Sequence, residues 1–120
     1  MQFDKDINSP LSKLFLEIRA YIMDCIDDDN SNIRENLKPN LTSYFHKDFK
    51  SGFCYIRVKD DFVHIGWFRG ASIKDEPKQF FGDGKCIRGQ KIRKLNIETK
   101  KAITYYINQT KLILFDNMYR

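Results

Sequence analysis

The sequence predicts an α+β fold, a two-layer sandwich with terminal helices packed on one face of a mainly antiparallel sheet. Apolar residues recur at three- and four-residue steps near both ends, and the middle of the chain switches to strict alternation. No Pro/Gly/Ser-rich linker, repeat or low-complexity segment divides the 120 residues, so one domain covering 1–120 is expected. A chain of this size buries roughly 65% of the surface its unfolded form exposes. Hydrophobic content of 42%, with ten Phe and six Tyr, is enough for a single core.

Leu11, Leu14, Phe15, Ile18, Ile22, Cys25 and Ile26 define the first amphipathic helix. Ser9-Pro10 reads as its cap followed by proline at the first helical position. A short second helix is expected next, with Ser31 as its cap, Ile33 and Leu37 on one face and Pro39 as its stop. Leu41 to His46 reads as a strand. Cys54, Ile56 and Val58 then alternate with Tyr55, Arg57 and Lys59, and Val63, Ile65 and Trp67 alternate with Phe62, His64 and Phe68. With Asp60-Asp61 as a two-residue hairpin loop, Val58 faces Val63, Ile56 faces Ile65 and Cys54 faces Trp67, which puts every core-type residue on one side. Gly70 to Lys85 reads as irregular and Cys86 to Leu95 as another strand. The last element is a helix capped by Asn96, with Glu98 in its first turn and Ala102, Ile103, Tyr106, Ile107, Thr110 and Leu114 on its buried face.

Twenty-one Lys and Arg against sixteen Asp and Glu give a net charge of +5 and a pI near 9.1, which permits an anionic partner. The acids concentrate before residue 36 and the bases after residue 84. Cys25, Cys54 and Cys86 lack the density and paired spacing of a disulfide framework and read as reduced thiols. The stretch MQFDKDINSP has no apolar run of the secretory kind, and no stretch approaches the roughly 18 apolar residues of a membrane span. A cytoplasmic setting without a membrane partner is the expectation. The apolar run Leu112, Ile113, Leu114 and Phe115 with Met118 exceeds one helix face, and either a homodimer contact or burial against the first helix accounts for it.

From His64 to Leu95 the order is Phe68, Arg69-Gly70-Ala71, Asp75, Pro77, Gly82-Asp83-Gly84-Lys85 and Arg88. This stretch resembles the signature of the YdhG-like family of small proteins of unknown function. With Glu35-Asn36-Leu37-Lys38-Pro39 upstream and the helix downstream, the resemblance spans roughly residues 10 to 115. It implies a fold similar to frataxins. It also implies iron as a possible cofactor and iron–sulfur assembly proteins as possible partners, since one branch of the family is described as an iron chaperone.

Asp24, Asp27, Asp28 and Asp29 cluster where the first helix should end, and Asp24, Asp27 and Asp28 share a face. Carboxylates there oppose the helix dipole and suit a hard cation. The alternative is a polar turn in which the helix stops near Asp27. Gly82-Asp83-Gly84-Lys85 has the glycines and lysine of a phosphate loop but no Ser/Thr ending, so a tight turn entering a strand is the better reading. Arg57, Arg69, Lys85, Arg88, Lys91, Arg93 and Lys94 offer a basic surface, with Tyr55, His64 and Phe68 supplying aromatic faces on the side of the hairpin away from the core. A solvated strand face is the competing reading, and the aromatic consensus of recognised RNA-binding sheets is missing. The proposed register sets Cys54 and His64 on opposite faces, which argues against a catalytic pair or a zinc site between them. A non-enzymatic binding or chaperone-type protein ranks first, with iron handling as the form that the resemblance implies. An anion- or nucleic-acid-binding module using residues 85–94 is the alternative, and an enzyme ranks third.

Overall fold

The computed structural model describes residues 1–27, 32–49 and 51–118. The chain runs α1 (Gln2–Ile7), α2 (Ser12–Ile26), β1 (Ile33–Leu37), β2 (Thr42–His46), β3 (Cys54–Lys59), β4 (Phe62–Trp67), a 3-10 turn (Gly70–Ser72), β5 (Phe80–Phe81), β6 (Arg88–Ile92) and α3 (Ile97–Met118). One six-stranded sheet has the order β1-β2-β3-β4-β6-β5, and every neighbouring pair is antiparallel. Phe15, Ile18, Ile22 and Ile26 of α2 join Ala102, Ile103, Tyr106, Ile107 and Leu114 of α3 in a core shared with Tyr44, Ile56, Val63, Ile65, Trp67 and Ile92 of the sheet. The protein is thus an α+β sandwich with its helices on one face. Among the described residues no helix is long and apolar enough to cross a membrane.

The central hairpin has the register that alternation predicts, pairing Cys54 with Trp67, Ile56 with Ile65 and Val58 with Val63. Its loop works because Asp60 takes a left-handed φ of 54°, a conformation that Asp tolerates better than most residues. Asn96 caps α3 as expected: its Oδ1 accepts from the Thr99 amide at 3.0 Å, while Thr99 Oγ1 accepts from the Asn96 amide at 2.9 Å. The predicted face of α3 is buried throughout, Thr110 included.

Three elements differ from the sequence reading. The expected short helix is strand β1, pairing from Ile33 opposite His46 to Leu37 opposite Thr42. Ile33 and Leu37 stand four residues apart, a separation that both the helical and the strand period satisfy. Strand pairing prevails because the ladder to β2 satisfies the backbone groups along one edge of a five-residue segment too short to hold a helix. The expected cap Ser31 lies outside the described residues. At the N-terminus, Pro10 does not open α2. Ser9 instead closes a turn between α1 and α2, donating to the Asp6 carbonyl at 2.8 Å and accepting from the Leu11 amide at 3.2 Å. Finally, the stretch read as irregular contains the edge strand β5.

Long-range polar contacts fasten the layers. Arg19 of α2 donates to both carboxylate oxygens of Glu35 on β1, at 2.7 and 2.8 Å, and the buried Tyr44 hydroxyl donates to the same group at 2.8 Å. Burial pushes the Glu35 pKa up, but the Arg19 and Tyr44 hydrogen bonds outweigh it and hold it below the ordinary value. On the other side, Asp6 of α1, 1% exposed, accepts from the Val58 backbone amide at 3.0 Å and from Gln2 at 2.8 Å. Burial raises its pKa.

Candidate functional site

The face of the sheet away from the helices is built from the other half of each alternation. One cross-strand row runs Asn36, Ser43, Tyr55, Gly66, Gly89 and Phe81, and the next joins Arg57, His64 and Lys91. Two strand glycines make room for rings. A Cβ at Gly66 would lie 2.0 Å from the Tyr55 ring, and one at Gly89 would lie 2.5 Å from Phe81 and 2.9 Å from His64 Nε2. The rings form a diagonal across the sheet: Phe45 to Phe68 at 6.1 Å, Phe68 to Tyr55 at 5.6 Å, Tyr55 to His64 at 5.5 Å and His64 to Phe81 at 5.5 Å between centroids.

Cations line this diagonal. Lys91 Nζ sits between two rings, 5.3 Å from the Phe62 centroid and 4.8 Å from that of Phe81. Arg93 lies 5.4 Å from Phe62 while pairing with Asp61, and Arg34 lies 5.6 Å from Phe45. Burial lowers the His64 pKa to about 4, with the positive charges of Arg57, Lys59 and Lys91 adding to the shift, so the ring is neutral at physiological pH. Ser43 Oγ, Arg57 Nε and His64 Nδ1 are buried polar atoms without a hydrogen-bond partner among the described residues. Each such atom costs about 1–3 kcal/mol when nothing satisfies it; Asp6 Oδ2 and Thr42 Oγ1, toward the helices, share this condition.

The structure gathers some predicted anion-binding residues and scatters others. Arg57, His64, Lys91 and Arg93 come together on the aromatic face. Arg88 does not: it pairs opposite Trp67, on the helix side, with its Cβ against Gly70, and its guanidinium turns back to the Gly84 carbonyl. Lys85 is exposed in the loop between β5 and β6, and Arg69 sits at the 3-10 turn beyond β4. Residues 85–94 are therefore not one surface, because strand alternation divides them between two faces. The sequence reading missed Arg34, Lys59, Phe45 and Phe81. Gly66 and Gly89, glycines inside strand patterns, were the available signal that rings cross there.

The residues carrying the family resemblance take structural parts. Asp75 accepts from the amides of Lys78, Gln79 and Phe80 at 2.9, 3.3 and 3.1 Å and from the Tyr106 hydroxyl, pinning the long loop to α3. Gly82 has a φ of 96°, the left-handed region that favours glycine, and Gly82-Asp83-Gly84-Lys85 is a connection between two strands.

α2 ends at Ile26 with Asp27 as its cap, and the Asn32 amide donates to Asp27 Oδ1 at 3.2 Å. Asp24 is exposed on the last turn, and Asp28 and Asp29 lie outside the described residues. Among the described residues no three His, Cys, Asp or Glu side chains form a group able to hold a metal ion. Cys54 is fully buried opposite Trp67, on the far side of the sheet from His64, and burial pushes its thiol pKa up. No family model matches the chain, and no curated protein or solved structure matches it significantly.

Proposed function

We propose that this chain is a non-enzymatic binding protein that holds an anionic ligand on the aromatic face of its sheet. The observation that carries the reading is the row Arg57, His64 and Lys91, where cations flank a neutral ring above polar atoms with no protein partner. An anion there would gain charge-assisted hydrogen bonds from the cations beside the ring. Three unpaired thiols, one fully buried, support a cytoplasmic setting. Titrating inorganic tripolyphosphate calorimetrically at low salt tests the proposal. Heat that fades with salt and falls several-fold in a Lys59→Gln/Lys91→Gln double variant is expected, and no heat at low salt refutes it.

Iron handling, the function that the YdhG-like resemblance implies, is a separate proposal requiring the opposite charge. Its candidate ligands are the carboxylates at the end of α2, where Asp27 stands at the negative pole of the helix. Ferrous and ferric iron titrated into the same protein distinguish the two. Binding that Asp27→Asn weakens favours iron, and silence with both ions removes it.

A further inference from the structure

Resting on the anion-binding reading, we propose that the ligand of the aromatic face is a single-stranded nucleic acid, its bases stacked on the ring diagonal and its phosphates held by the flanking cations. A small anion or a featureless polyanion would need the cations alone. The diagonal adds Phe45, Phe68, Tyr55, His64 and Phe81 in sequence across four strands, with Phe81 39% exposed. The rings are tilted by 39–78° from one to the next, so each offers a separate surface to an unstacked base, and such stacking disregards sequence.

Spacing selects the strandedness. The rings are 5.5 to 6.1 Å apart, whereas nucleotides within one strand of a duplex rise by about 3.4 Å. Bases that follow the diagonal must therefore be pulled out of a helical stack, which a single strand permits at low cost and a duplex does not. Charge follows the same line. Arg34 lies at the Phe45 end, and Lys91 sits between Phe62 and Phe81 at the other, with Arg57 and Lys59 on the central hairpin. Of the facing carboxylates, Asp61 is already paired with Arg93. His64, being neutral at physiological pH, acts in this arrangement as a further stacking ring.

Fluorescence anisotropy of a short labelled oligothymidylate at low salt, set against a duplex of equal length and unlabelled inorganic polyphosphate as competitor, tests the inference. The single strand should bind more tightly than the duplex, and polyphosphate should compete poorly. Phe81→Ala should weaken single-strand binding about 5- to 150-fold without changing its salt dependence. Lys91→Gln should lower the slope of log affinity against log salt by about 0.7. Both side chains are exposed, and circular dichroism verifies that each variant folds. Duplex or polyphosphate binding as tightly as the single strand, with Phe81→Ala neutral, overturns this inference while leaving the anion-binding reading standing. Failure of both oligonucleotides to bind, together with no heat from tripolyphosphate, overturns both.

Discussion

Gly66→Ala tests the construction of the aromatic face directly. An ideal Cβ at this position lies 2.0 Å from both Cε2 and Cζ of Tyr55 and 2.5 Å from its hydroxyl oxygen. Non-bonded carbons prefer about 3.5–4.0 Å, so the ring must retreat by roughly 1.5–2 Å. Retreat breaks its contacts with His64 and Phe68, whose centroids are 5.5 and 5.6 Å away. Overpacking of this kind costs about 1–3 kcal/mol. Against it stands a gain of about 0.5–1 kcal/mol, because alanine surrenders less backbone freedom than glycine on folding. The net expectation is a loss of up to about 2.5 kcal/mol, read as a lower urea midpoint at unchanged m-value. The diagnostic measurement is the cycle with Tyr55→Ala: once the ring is gone, Gly66→Ala should be neutral or stabilising, giving a coupling of about 1–3 kcal/mol. Equal effects of Gly66→Ala in both backgrounds would refute the ring-over-glycine packing.

Other consequences follow from the buried Asp6 and the half-buried Glu35 and Asp75. Asp6 has a raised pKa in the fold, so its contribution is fully present below its unfolded value of 3.8 and is lost as pH rises through the folded value. Asp6→Asn keeps an oxygen for Val58 and Gln2 but cannot ionise. Its urea-derived stability relative to wild type should therefore climb over that window, and parallel pH curves would disprove this. Glu35 behaves oppositely. Its pKa is lowered, so its contribution is present above the unfolded value of 4.5 and disappears as pH falls through the folded value. Glu35→Gln should cost about 2 kcal/mol at neutral pH and progressively less in acid. Asp75→Ala removes the acceptor for three loop amides and the Tyr106 hydroxyl. A loss of about 2–3 kcal/mol is expected, with hydrogen exchange accelerating at Lys78, Gln79 and Phe80; unchanged exchange there would contradict the anchoring role.

The hairpin from Cys54 to Trp67 was legible because both of its strands alternate cleanly and only one register puts all the apolar residues on one side. The face of α3 was legible for the same reason at helical period. β1 was not, since two apolar residues four apart fit either period and its partner β2 is supplied by tertiary pairing. The site was half legible. Tyr55, His64 and Phe68 follow from the hairpin's alternation, but a run of positive residues such as 85–94 cannot be read as a surface until strand boundaries fix each residue's face. Arg88 falls on the wrong side for that reason alone. Phe81 reaches the site because β5 pairs with β6 across the connection 82–87, and a strand of two residues is too short to show an alternation.

The carboxylate that accepts from the Val58 amide also fills a place on the sheet that a strand would otherwise take. β2 begins at Thr42, opposite Ile56, so its ladder ends before Val58 and leaves part of one edge of β3 without a strand neighbour among the described residues. Bare edges of that kind invite a strand from another molecule and seed aggregates. With Asp6 seated there, an incoming chain would have to dislodge α1 and desolvate a carboxyl group that offers it no matching ladder. The helix that looks like a minor appendage thus closes the stretch of β3 that β2 does not reach.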